Sequence, residues 1–240
     1  MKINWNYIKG FVLVALVLFL FGFTNLKNGD KKIVSLEVEF EQGDNLFMDY
    51  EMVNKLLIQN DATVKNKAKS LIDLNSLEEQ VTSHPMVEEA TTYVTVDGRL
   101  KTKVRQRTPI GRINSGSASY YLDRQGIQMP LSKNYSARVP IVTGFSEADD
   151  TKMLFTLLKY IGEDDFLKKQ IVGVHKENKN HFVLLTRVGN HEIDFGAVEN
   201  LELKFKNLKA FYNYAMENEA IENYKKINLN YNNQVVCTKK

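Results

Sequence analysis

The chain of 240 residues is long enough for one or two ordinary domains and too short for a large multidomain enzyme. Its 43% hydrophobic and 25% charged residues can build a core without staples and exclude global disorder. A net charge of +3 from 32 basic and 29 acidic residues is too balanced for a dedicated nucleic-acid binder, and the single cysteine, Cys237, excludes an intrachain disulfide and a cysteine zinc cage.

The first predicted element is an apolar helix. Residues 11–23 read FVLVALVLFLFGF without a charge, and Ile8 and Leu26 extend the run. As a helix, residues 8–26 span about 28 Å, close to a bilayer's hydrocarbon core. Trp5 and Tyr7 stand where interfacial aromatics belong, and Lys9 can snorkel outward. A cleaved signal peptide and a buried soluble helix are the competing readings. The segment Gly22-Phe23-Thr24-Asn25-Leu26 lacks a small-x-small cleavage site, and no cysteine follows for lipoprotein processing. Lys2 and Lys9 before the span and Lys27, Lys31 and Lys32 after it leave the orientation undecided by charge. A short tail (residues 1–7) ahead of a long soluble part suits an N-inside, type II anchor.

After a polar linker over residues 27–32, Ile33 to Phe40 alternates, with Val34, Leu36, Val38 and Phe40 on one face. Asp49 is placed to cap a helix carrying Val53, Leu56 and Leu57. Asn75-Ser76-Leu77-Glu78 resembles a capping box that opens a second helix, and His84-Pro85 stops it. Ala90, Thr92, Val94 and Val96 alternate up to Asp97-Gly98, which predicts a two-residue type I′ hairpin turn. Leu100, Thr102 and Val104 point inward on the return strand. Residues 33–107 therefore read strand, helix, helix, strand, strand.

Pro109 and Gly111 mark a change of character at the start of residues 108–240. Tyr120 to Asp123 runs into a Gln125-Gly126 turn, and residues 127–131 return. The spacing of Leu154, Leu157, Leu158 and Ile161 predicts a helix over 151–161. Strands are predicted at 171–176, 181–187 and 191–195, then a helix over 199–216 with Leu201, Phe205, Leu208, Phe211 and Tyr212 on one face. Two closing strands, 226–231 and 234–238, flank Asn232-Asn233. The fold class is α+β, with a membrane helix, a small βααββ module and a β-rich domain with flanking helices.

Catalytic signals are weak. His175, His181 and His191 fall on or beside separate strands and read as exposed strand-end histidines; a zinc site formed by them is the sharper alternative. His84 reads as a helix-end residue. Asp149-Asp150 and Asp164-Asp165 precede helices, where carboxylates suit the dipole. No nucleophile elbow or phosphate-cradling glycine loop occurs. Cys237 sits in a polar tail with no evident histidine partner.

Five segments, in order behind a single anchor, resemble the bacterial FtsQ/DivIB family. His84-Pro85-Met86-Val87-Glu88-Glu89-Ala90 is similar to "hPxVxxA", and Arg105 to Arg112 (RQRTPIGR) to "vExxPiAr". Tyr121 to Gly126 is similar to "yyvDxxG", Val139 to Gly144 to "lPxltG", and Ile227 to Tyr231 to "vDLRY". Departures are Gln106 for the glutamate, Val94 and Val96-Asp97-Gly98 in the first hairpin, and Asn228 and Asn230 for the last strand's Asp and Arg. Such variation suits a distant lineage such as the Bacteroidetes.

The resemblance implies a POTRA-type module and a non-catalytic divisome scaffold without cofactors, in the inner membrane at the septum. It implies FtsB and FtsL homologues as partners, alongside septal synthases of the FtsW/FtsI type, in control of septal peptidoglycan synthesis. It places the partner site at Ile227, Leu229, Asn230, Tyr231, Asn232, Asn233 and Val235. A histidine-metal envelope hydrolase and a POTRA-bearing outer-membrane assembly factor are the alternatives.

Overall fold

The computed structural model describes residues 5–41, 46–58, 64–116, 118–146, 149–231 and 234–240, without the Asn6 side chain. The chain divides into two compact units, residues 1–106 and 107–240.

The first unit begins with helix α1, Trp5–Gly29. Residues 7–29 form a stretch long and apolar enough to cross a membrane, and residues 7–27 are exposed. The helix takes in residues 27–29 of the segment assigned to the linker and ends there. Lys27 lies over the Phe23 ring within the helix, and Lys69 Nζ, from outside the span, donates to Asn28 Oδ1 at 3.2 Å.

Next come β1 (Ser35–Phe40), α2 (Tyr50–Ile58), α3 (Leu74–Thr82), β2 (Val87–Val94) and β3 (Arg99–Gln106). They form a sheet ordered β1-β3-β2, with β1 parallel and β2 antiparallel to β3. Ile33, Phe40, Val53, Leu57, Leu77, Val81, Leu100 and Val104 fill the core. Asp49 Oδ1 accepts from Met52 N at 2.8 Å and caps α2.

Three local expectations change. Val34 is exposed and Ile33 buried, because regular pairing starts only at Ser35. The cap of α3 is Asp73, which accepts from Ser76 N, while Glu78 instead accepts from Thr92 N on β2. The β2–β3 loop is not type I′. Gly98 alone has positive φ, and Gly98 N donates to Thr95 O while Thr95 N donates to Arg99 O. A type I turn over residues 95–98 followed by a glycine bulge fits this pattern.

The second unit holds β4 (Pro109–Asn114), β5 (Ser119–Asp123), β6 (Gln128–Met129), β7 (Ile141–Thr143), α4 (Lys152–Glu163), α5 (Asp165–Gln170) and β8 (Ile171–Asn178). It continues with β9 (His181–Thr186), β10 (Glu192–Gly196), α6 (Leu201–Glu217), β11 (Tyr224–Asn228) and β12 (Val236–Lys239). The nine strands are ordered β12-β11-β10-β9-β8-β7-β4-β5-β6. Leu154, Leu157, Leu158 and Ile161 of α4 join Phe205, Leu208 and Tyr212 of α6 in one core with Ile113, Val174, Leu184, Ile193 and Ile227 of the sheet. The buried Asp123 accepts from Gln125 N and Ile127 N and pairs with Arg107 at 2.8 Å, fixing the β5–β6 turn.

Candidate functional site

The closing strands form one end of the nine-stranded sheet. β11 is interior: it pairs in parallel with β10 (Ile193 with Ile227, Asp194 with Asn228) and antiparallel with β12 (Ile227 with Cys237, Asn228 with Val236). The free edge is therefore β12, whose outward backbone groups are available to another strand. Cys237 is part of this edge strand rather than a polar tail; it packs against the core, and burial pushes its thiol pKa up.

The expected site residues separate by role. Ile227 and Leu229 lie in the core, and Val235 packs against it partly buried. Asn230, exposed just past β11, belongs to a polar network with Asp194 and Asn228. Tyr231, just past β11, is 51% exposed. Asn232 and Asn233 lie outside the described residues.

The network centres on Asp194 of β10, a residue the sequence did not single out. Its side chain is nearly buried, and Oδ1 takes His181 Nε2 at 2.8 Å and Asn230 Nδ2 at 2.9 Å. Oδ2 takes Lys226 Nζ at 2.8 Å and Asn228 Nδ2 at 3.3 Å. Burial pushes the Asp194 pKa up, but hydrogen bonds from Lys226 and Asn230 outweigh it and hold the carboxyl below its ordinary value. The two asparagines that replace Asp and Arg of the motif thus bind one carboxylate from the neighbouring strand. Gly196 at the end of β10, with φ of 68°, leaves the space that the Asn230 side chain occupies.

The edge is basic. Lys226 pairs with Asp194 and Lys240 with Glu222, which leaves Lys225 and Lys239 without a carboxylate partner among the described residues.

The histidines do not converge. His175 Nδ1 meets Thr143 Oγ1 at 2.8 Å, His181 binds Asp194, and His191 Nε2 meets Tyr212 OH at 2.5 Å. His191 is only 3% exposed, against the expectation of an exposed strand end: the α6 tyrosine covers it. Among the described residues no three His, Cys, Asp or Glu side chains could share a metal ion. A cleft of about 470 Å³ elsewhere in this unit is lined by Ile110, Arg124, Arg138, Lys159, Glu163 and Lys168, among others. Among the described residues Glu163 is its sole lining carboxylate, so no pair of carboxylates meets there.

Comparison with known proteins assigns both units. Residues 108–238 match the family model described as FtsQ/DivIB, C-terminal related, and residues 32–105 match that of a POTRA-like domain. The chain is 27% identical over 174 residues to a protein of Salinibacter ruber (strain DSM 13855 / M31) named cell division protein FtsQ. The match covers 66% of this chain and 66% of that relative, so just under two thirds of the relative's length is spanned.

Proposed function

The chain belongs to the FtsQ/DivIB-related family, and on that premise we propose that it is a non-catalytic, single-pass scaffold of the cell-division machinery. In this reading α1 anchors it in the inner membrane at the septum, with the N-terminus cytoplasmic and both units outside. Its partners are FtsB and FtsL homologues, and through them it controls septal synthases of the FtsW/FtsI type.

The observation that carries this reading is the free basic edge at β12 with Tyr231 exposed beside it. An extended segment can add to such an edge by main-chain hydrogen bonds, and acidic side chains on that segment would meet Lys225 and Lys239. Tyr231 supplies the aromatic anchor that often dominates an interface. Ile227 and Leu229 hold the edge from within. Anchoring in one membrane raises the partners' effective concentration, so individually weak contacts suffice.

The hydrolase alternative finds no support in histidines already engaged by Thr143, Asp194 and Tyr212. The assembly-factor alternative is not favoured by an open nine-stranded sheet with free ends.

The test uses the full chain in nanodiscs, titrated with the extracytoplasmic segment of the FtsB homologue. Tyr231→Ala is expected to raise Kd about thirtyfold, as loss of a 2 kcal/mol hot spot does. Lys239→Glu is expected to weaken binding in a salt-dependent way. Wild-type affinity in both folded variants removes the site.

A further inference from the structure

Among the described residues of the first unit outside α1, the most exposed large apolar side chains are Val34 at 67%, Leu71 at 75% and Val96 at 76%. All three lie at the end of the module that meets α1. Val34 N donates to Gly98 O at 2.8 Å, which places it beside the β2–β3 loop. Lys69 N donates to Lys31 O at 2.9 Å, which brings the Lys69–Leu71 turn to the same end. Exposed apolar groups gathered at one end call for a cover.

The depth of that end along α1 is fixed by the span itself. Val96 lines one cleft with Phe21, Phe23 and Lys27, and Ser70 lines another with Gly22, Leu26 and Gly29. Phe21 lies about 9 Å before Lys27 along the helix. The module's end is thus level with the last turns of the apolar span. Lys69 Nζ ties the parts together by donating to Asn28 Oδ1 at 3.2 Å, Thr95 O at 2.6 Å and Val96 O at 3.2 Å. Lys31 Nζ adds a bond to Val96 O at 3.3 Å.

The charge of this end is positive. Lys27, Lys31, Lys32 and Lys69 outnumber Asp30 here, while Asp97 pairs with Arg99 at 2.7 Å. Apolar tips set among lysines at the end of a membrane span match the headgroup zone of a bilayer, where tips enter the acyl boundary and ammonium groups meet phosphates.

We propose that the α1-proximal end of the POTRA-like module is a lipid-binding surface: Val34, Leu71 and Val96 enter the headgroup region, and Lys27, Lys31 and Lys32 contact lipid phosphates. This rests on the reading of α1 as a membrane span. It sets the module end-on to the bilayer, so that partners meet it in one orientation.

The test uses the full chain with Cys237→Ser and one new cysteine at a time: Leu71→Cys, Val96→Cys, Thr82→Cys or Leu16→Cys. Each is labelled with an environment-sensitive fluorophore in vesicles of phosphatidylcholine and phosphatidylglycerol, two to one. A headgroup spin label is expected to quench the labels at positions 71 and 96 and to leave position 82, beyond the far end of β2, unquenched. A chain-terminal spin label is expected to quench position 16. If position 16 is not quenched, the span reading fails. If position 16 is quenched while 71 and 96 stay in water, the lipid surface is overturned alone. Shielding of 71 and 96 from water without lipid quenching means a second copy or another protein covers this end, and it also overturns the proposal.

Discussion

At Gly196 a methyl group would collide with the Asn230 side-chain oxygen, and φ of 68° disfavours any side chain there. Gly196→Ala should therefore expel Asn230 from Asp194 and destabilise the second unit by about 2–3 kcal/mol, the scale of a hydrogen bond to a charged group plus backbone strain. The added variant Asn230→Ala should relieve the collision, so the double variant costs less than the sum of the singles in denaturant melts. Additive costs would mean the two residues do not compete for space. His191 gives a pH dependence of definite sign. Burial lowers its pKa, and burial also holds the Tyr212 phenol protonated, up to about 12, so Tyr212 donates to a neutral imidazole. A folded-state pKa below the unfolded one gives stability that is complete above about pH 6.5 and lost as pH falls through the lowered value. His191→Gln keeps an acceptor for Tyr212 and should flatten the melting temperature of the second unit below that pH. His84, also lowered by burial, leaves a slope of the same sign in the first unit.

The β2–β3 loop shows how one glycine serves a whole element. A side chain at Gly98 would need φ of 88° and would place its Cβ 2.7 Å from Lys32 O, where Val34 already takes the Gly98 carbonyl. Gly98→Val should cost the first unit about 2 kcal/mol or more, and roughly 8–16 °C in melting temperature for a module of this size. An unchanged melt in the full chain would refute the bulged loop. The sequence located this loop through Asp-Gly but misjudged its type, because the closing pair, Thr95 with Arg99, depends on strand register. Alternation made β1, β2 and β3 legible, polar turns marked off β8, β9 and β10 from one another, and helical spacing revealed α4 and α6. β4 escaped because its inward positions are Pro109, Gly111 and Ile113, which give almost no apolar alternation. α5 is one and a half turns long, too short for periodicity, although Asp164 caps it through Phe166 N and Leu167 N. At the site, Ile227 and Leu229 were readable as inward residues. Asp194 was not, since its importance arises from a parallel pairing between strands more than thirty positions apart in sequence.

At the scale of the whole molecule, the two sides of the membrane must be assigned. The lysines flanking α1 do not decide it, and the units restrict it without naming the side. A nine-stranded sheet and a βααββ module cannot be threaded through lipid once folded, because open sheet edges leave backbone groups without partners there. Among the described residues no second helix is long and apolar enough to cross a membrane, so the proposed single-pass reading expects both units on one side. Under the proposed function the partner strand is extracytoplasmic and meets β12 on the outer side, so the expected topology is N-inside. Protease added to intact spheroplasts should remove both units and leave a membrane-embedded stub containing α1. Folded sheets resist cleavage, so the same protease is applied after unfolding the surface with mild denaturant and, separately, after permeabilisation. Cleavage in intact spheroplasts under mild denaturant supports the assignment. Cleavage that requires permeabilisation reverses it, places Lys225, Tyr231 and Lys239 in the cytoplasm, and with them removes an extracytoplasmic partner strand at β12.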